Sequence, residues 1–177
     1  MRPTYRIVEA RERDLPFLPV IELAAARLLV GHAPESVLME TTALEEFRQA
    51  SAGGRLWVAL TSETPVGFVH VKLLASGAPH LEEVDVHPSH GRQGLGRRLV
   101  ATACEWTTRS GHQGLTLTTF RGLPFNQQFY ASCGFEDVPP SQLDAELVDI
   151  VANEARRGLF PEQRVVMRWR SPALTAP

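Results

Sequence analysis

The sequence has few of the residues that would commit it to metal, disulfide or membrane chemistry. It contains two cysteines in 177 residues. Cys104 and Cys133 stand far apart, without the paired spacing of a metal clip or a disulfide framework, so a reducing setting is expected. His32, His70 and His112 make no ligand spacing with Cys, Asp or Glu, and no metal is expected. Of 18 basic residues only Lys72 is a lysine, a bias we read as compositional. A net charge of −2 lacks the basicity that would argue for nucleic acid or an anionic membrane surface. No apolar run approaches the length of a membrane span, and "MRPTYRIVEA" lacks the apolar centre of a signal peptide. A cytoplasmic location is therefore expected, with neither nucleic acid nor membrane as a partner. No repeat or low-complexity linker divides the chain, so a single domain over residues 1–177 is expected, with its core over 5–170.

What is present alternates between strand and helix patterns. "YRIVEA" predicts a first strand, and helical spacing starts near Leu18. "TTALEEFRQASAGG" predicts a helix capped by Thr41 or Thr42 and stopped by the glycine pair. "RLWVALT" and "PVGFVHVKLL", joined by "SETP", predict a hairpin, and "HLEEVDV" a fourth strand. Leu95, Leu99, Ala103 and Trp106 mark the apolar face of a helix over 94–109, closed by Gly111. After a fifth strand, "LTLTTF", comes a short helix, "NQQFYASCG", with Asn126 as its cap. "FEDV" opens a sixth strand. "SQLDAELVDIVANEARRG" predicts a helix with a serine cap, Ser141, and "QRVVMRW" a last strand. This order predicts an α/β fold with a mixed sheet flanked by helices.

Residues 87–100, "HPSHGRQGLGRRLV", join the fourth strand to the next helix. A loop of this kind can aim several backbone N–H groups at one point, where the helix dipole favours an anion. Glycines let the backbone approach such a ligand closely. The dinucleotide fingerprint needs a third glycine where Leu99 stands. Walker A needs Lys followed by Ser or Thr where Arg97 and Arg98 stand. Both known loops are excluded.

"VDVHPSHGRQGLGRRLV", followed about thirty residues later by "NQQFYASCGF", resembles the GNAT superfamily of acetyl-coenzyme A-dependent N-acetyltransferases, most closely over residues 80–138. The resemblance implies a GNAT-like single-domain fold, its mostly antiparallel sheet splayed between the fourth and fifth strands to admit the pantetheine arm. It implies acetyl-coenzyme A as co-substrate, with its pyrophosphate held by the loop at Arg92, Gln93, Gly94, Leu95, Gly96 and Arg97. Val84, Asp85 and Val86 would line the splayed strand, and Tyr130 would face the sulfur. Gly91 stands where the family usually carries Arg or Gln. Asn126 lies four residues before Tyr130 instead of about seven, so the helix starts about one turn late. It is either a structural cap or a coenzyme contact.

Acetyl transfer to an amine needs a proton acceptor, a donor for the thioester oxygen, and a proton for the departing thiolate. Tyr130 suits the last role, because a phenol is neutral at pH 7 and can donate; the alternative is a core aromatic within "FYASCGF". Backbone N–H groups of Val84 to Val86 suit the second. For the base, alternation puts His80 and Glu82 on one face with Val84 and Val86, and Glu83 and Asp85 on the other. Two consecutive glutamates inside a strand are unusual, and a covered carboxylate is a candidate base. The alternative is that both sit at the exposed rim of the sheet. Glu82 is the first choice, matching a glutamate in several amine-acetylating relatives; Glu83 is second, and His80 is a relay through water. The acids favour a small cationic amine as acceptor. A protein N-terminus or lysine is the rival substrate, and a non-catalytic acyl-coenzyme A-binding module the rival class. "GHAPESV" is expected in a lid over the substrate. The resemblance also allows a homodimer through late strands and helices.

Overall fold

The computed structural model describes residues 3–172. Seven strands form one mixed sheet in the order β1-β2-β3-β4-β5-β7-β6. They are β1 (Arg6–Glu9), β2 (Leu56–Thr61), β3 (Thr64–Leu73), β4 (Pro79–Val86), β5 (Gly114–Phe120), β6 (Glu136–Asp137) and β7 (Arg164–Arg170). The helices are α1 (Leu18–Ala26), α2 (Glu35–Leu38), α3 (Leu44–Ala52), α4 (Leu95–Arg109), α5 (Gln127–Ser132) and α6 (Ala145–Arg156). The expected α/β architecture is present. The β4–β5 ladder is parallel, with His80 opposite Thr116. The β1–β2, β2–β3, β5–β7 and β6–β7 ladders are antiparallel. No helix among the described residues is long and apolar enough to cross a membrane.

The chain forms two compact units, one reaching to Lys72 and including Leu81–Ala103, the other comprising Leu73–His80 and the chain from Cys104 onward. In the first, Leu18 and Ile21 of α1 and Phe47 of α3 pack with Leu56, Val58 and Phe68 of the sheet. Phe47 and Phe68 meet edge to face at 5.4 Å, and neither is exposed. Burying each ring stabilises by about 2–3 kcal/mol relative to leaving it in water. The predicted hairpin is present: Ser62 and Glu63 join β2 to β3 with φ of +47° and +68°, the paired left-handed geometry of a type I′ turn. In the second unit, β5 and β7 stay in register from Gly114–Arg170 to Phe120–Arg164. A Cβ on Gly114 would lie 2.4 Å from the Trp169 carbonyl oxygen, so only glycine permits this close approach.

Two predicted caps are wrong, each for a local reason. The cap of α3 is Ala43, with no side-chain bond; Thr42 instead turns its hydroxyl and its N–H toward the Glu22 carboxylate on α1. A hydrogen bond donated to a carboxylate is stronger than the neutral one a capping hydroxyl accepts from a helix N–H. At α6 the cap is Asp144, which accepts from Leu147 N–H at 3.0 Å, while Ser141 lies in the preceding 3-10 turn, Pro140–Gln142.

One buried polar group has a measurable cost. His70 of β3 is 1% exposed, lies 6.0 Å from Phe47 ring to ring, and its Nδ1 has no partner. Burial, then the charges of Arg55 and Lys72, lower its pKa to about 4. The folded protein keeps His70 neutral while the unfolded chain takes up a proton near pH 6.5. Stability contributed by this difference is complete above pH 6.5 and is lost as pH falls toward about 4, by about 3 kcal/mol over the window. His70→Leu is expected to gain stability over the wild type as pH is lowered through that window. Denaturant titrations at pH 7, 6 and 5 check it; a constant difference rules out the histidine as the acid-sensitive group.

Candidate active site

In the first unit β4 runs out at Val86 into a 3-10 turn, Pro88–His90, and then into the glycine loop. Arg92 and Gly94 both adopt left-handed backbone, with φ of +58° and +74°. Leu95 follows, 1% exposed, and anchors the start of α4 in the core with Leu99 and Ala103. The first amide groups of a helix have no acceptor within it, and no acidic side chain occupies this first turn. Arg92, Gln93, Gly94 and Arg97 are exposed, and Gly96 is half-buried. The loop thus lies largely in solvent at the N-terminal end of a 15-residue helix. A Cβ at Gly91 would stand 3.1 Å from the Pro88 carbonyl oxygen, tighter than most side-chain contacts.

The acids of β4 separate by face. Glu82 is exposed, whereas Glu83, Val84, Asp85 and Val86 are half-buried. Glu83 and Asp85 share a hydrogen bond, and Asp85 is held well above the usual carboxylate range, first by burial and then by the negative charges of Glu83 and Glu22. Glu22, 7% exposed on α1, is also raised, mainly by burial, against the lowering effect of the Thr42 donors. No Lys, Arg or His among the described residues forms an ion pair with Glu22 or Asp85 within 4.0 Å. The unit therefore contains a like-charge group in which Glu83 and Asp85 can share one proton. Sequence reasoning gave Asp85 only a backbone role and did not single out Glu22. The signals were available: Glu83 and Asp85 stand two apart on one strand face, and Glu22 is the one acid in the apolar run "LPVIELAAA".

His80 lies in the second unit, 3% exposed. Its Nδ1 is 2.9 Å from the Thr116 hydroxyl, which itself donates to the Pro79 carbonyl oxygen at 3.3 Å. This arrangement makes Nδ1 the protonated nitrogen, donating to Thr116.

Tyr130 is on α5, also in the second unit, half-buried between Phe129 and Phe135 at centroid distances of 5.1 and 5.8 Å. Its N–H donates to the Asn126 carbonyl oxygen at 3.0 Å, so α5 does begin at Asn126. The Asn126 side chain is no cap. Its amide donates to Thr119 Oγ1 at 3.0 Å, and its Oδ1 is buried without a partner. A buried acceptor left open in this way costs about 1–3 kcal/mol, a cost a ligand donor would remove. Cys104 is buried and its thiol is pushed up to about 12, first by burial and then by Cys133 and Glu105, so it supplies no thiolate nucleophile near neutral pH.

Comparison with known proteins gives the family and the fold. Residues 22–135, more than half of the chain, match the sequence model of the acetyltransferase (GNAT) family. The PaiA N-acetyltransferase of Thermoplasma acidophilum, solved with coenzyme A, is 15% identical with a TM-score of 0.70, over 94% of this chain and 99% of that one. The ribosomal-protein-S18-alanine N-acetyltransferase of Escherichia coli is 17% identical with a TM-score of 0.64, over 95% and 94%. A putative streptothricin acetyltransferase of Bacillus anthracis, solved with acetyl coenzyme A, is 22% identical with a TM-score of 0.51, over 65% and 61%. Identities this low establish a shared fold and leave the substrates of those proteins with those proteins. The family model and the sheet agree, and the chain belongs to the acetyltransferase (GNAT) family.

Proposed function

We propose that the protein moves an acetyl group from acetyl-coenzyme A to the primary amine of a small cationic molecule, by direct attack of the amine on the thioester. The observation that carries this reading is the Glu83–Asp85 pair, in which burial and then the charge of Glu83 hold Asp85 above the usual carboxylate range, on the strand that leads into the glycine loop. A base for an ammonium group needs a carboxylate shifted toward neutral pH, and the charges around it attract a cation. Exposure supports Glu83, with Asp85 behind it, over the exposed Glu82 as the residue that takes the proton. The burial of His80 and its bond to Thr116 support a strand-pinning role in place of a proton relay.

The other roles follow from the chain's own groups. Backbone donors of Arg92 to Arg97 at the head of α4 suit a pyrophosphate, held by N–H groups more than by side chains. The open Asn126 Oδ1 suits an amide N–H of the pantetheine arm. Backbone N–H groups along Val84 to Val86 steady the oxygen of the thioester as charge develops on it. The amine nitrogen then bonds to the carbonyl carbon, the carbon–sulfur bond breaks, Tyr130 gives its hydroxyl proton to sulfur, and Glu83 takes the proton of the amine.

At ~100 times its dissociation constant, acetyl-coenzyme A is expected to stabilise the fold by ~2.7 kcal/mol, and coenzyme A release should be fastest with small cationic amines. No stabilisation at saturation removes the reading altogether. Release with peptides alone transfers the activity to protein N-termini or lysines, and binding without release to any amine leaves a non-catalytic acyl-coenzyme A module.

A further inference from the structure

The chain has two tyrosines, and only Tyr130 has a role in the chemistry proposed above. The other, Tyr5, immediately precedes β1 and touches both ends of the glycine loop. At the entrance its hydroxyl lies 3.0 Å from His90 Nδ1, and the two rings meet edge to face at 5.8 Å and 90°. At the exit the Arg98 guanidinium, in the first turn of α4, donates to the Tyr5 carbonyl oxygen at 3.1 Å. The turn that carries His90 is itself ordered. His87 N–H donates to Val66 O at 2.8 Å, His90 N–H to His87 O at 2.8 Å, and Gly91 N–H to Pro88 O at 3.0 Å. Between the two tethers lie Arg92 and Gly94 in left-handed backbone. A non-glycine residue there costs about 1 kcal/mol or more, so the loop conformation needs support from outside itself.

We infer that Tyr5 is a positioning residue that braces the loop at both ends, holding its backbone N–H groups in the arrangement that receives the coenzyme's phosphates. The inference rests on the coenzyme reading above. The geometry gives a division of labour: the Tyr5 carbonyl engages Arg98, and the Tyr5 hydroxyl fixes the His90 turn. Arg98 therefore serves the loop through Tyr5, and the phosphate-facing groups are the amides between the tethers. A brace of this kind lowers the ordering cost of binding without touching the ligand.

Tyr5→Phe keeps the ring and removes the O–H. It should speed hydrogen exchange of the amides of Gly91 to Arg97 in the free protein and raise the dissociation constant for acetyl-coenzyme A about 5–10-fold, a loss typical of one hydrogen bond. kcat at saturating coenzyme should stay unchanged, because no reacting atom is touched. His90→Ala should reproduce both effects, and His90→Asn, whose Oδ1 can accept in place of Nδ1, should restore them. The double variant Tyr5→Phe, His90→Ala should lose no more than either single variant. Unchanged loop exchange in Tyr5→Phe overturns the brace, as does an additive double variant or a fall in kcat. Failure of the wild type to bind coenzyme at all, with loop exchange still dependent on Tyr5, overturns the coenzyme reading instead.

Discussion

Tyr130→Phe is expected to lower kcat about 10²–10³-fold while the dissociation constant for acetyl-coenzyme A stays within about twofold. The substitution is narrow. It keeps the ring that packs between Phe129 and Phe135, and it keeps the backbone bond from Tyr130 N–H to Asn126 O. Only the proton donor goes. If the ring's packing were its whole contribution, turnover would be untouched and only the melting temperature could move. If the hydroxyl donates to the leaving sulfur, the loss falls on the chemical step, and thioesters with the poorest leaving thiolate suffer most. A thioester analogue with a more acidic thiol should therefore recover part of the lost rate. Stopped-flow or steady-state coenzyme release with both thioesters measures this, and equal loss on the two rejects Tyr130 as the acid.

Elements that depend on local periodicity are legible in the sequence. Alternation found β2 to β5 and β7, the 3.6-residue pattern found α4 to within a residue at its start, and Gly111 and Gly134 stop their helices with left-handed φ of +77° and +91°. Caps were less legible because a hydroxyl chooses among partners that only the fold brings near. Thr42 had a good position for capping α3 and went to Glu22, twenty residues earlier. Asn126 was correctly placed at the start of α5, but its side chain is directed to Thr119 of β5, which nothing in "GLPFNQQ" foretells. The division into two units is likewise a property of long-range packing. It has no linker, glycine run or change of composition to mark it.

The acids show the same boundary more sharply. Alternation sorted Glu82 from Glu83 and Asp85, but it does not say which face of a strand is covered. That depends on α1, whose Glu22 adds its charge to Asp85. Family resemblance pointed to Glu82, and the exposure of that residue redirects the proposal to its neighbour. A shared proton needs two carboxylates on one face, and that much was written in the order Glu83–Val84–Asp85.

Substitutions in the Glu83–Asp85 pair are expected to move activity and stability in opposite directions. Glu83→Gln and Asp85→Asn are each expected to lower kcat about 10²-fold, because either one breaks the shared proton site that serves as base. The wild-type rate should climb with pH as the pair loses its proton, and both variants should lack that limb. For stability the sign follows from the raised Asp85 pKa, whose ordinary value is 3.8. Above that value the unfolded chain has released its proton while the folded protein still holds it. The folded state binds more protons, so its stability falls as pH rises through this range. Asparagine removes the penalty. Asp85→Asn should therefore match the wild type near pH 3.8 and below, and become progressively more stable than it as pH rises toward neutrality. An enzyme that is less active but harder to unfold is the expected signature of a strained functional charge. Paired pH–rate and pH–melting profiles decide the matter: a stability difference that is flat from pH 4 to pH 8 removes the raised carboxyl. If the rate limb also persists in both variants, the base lies elsewhere than on this face of β4.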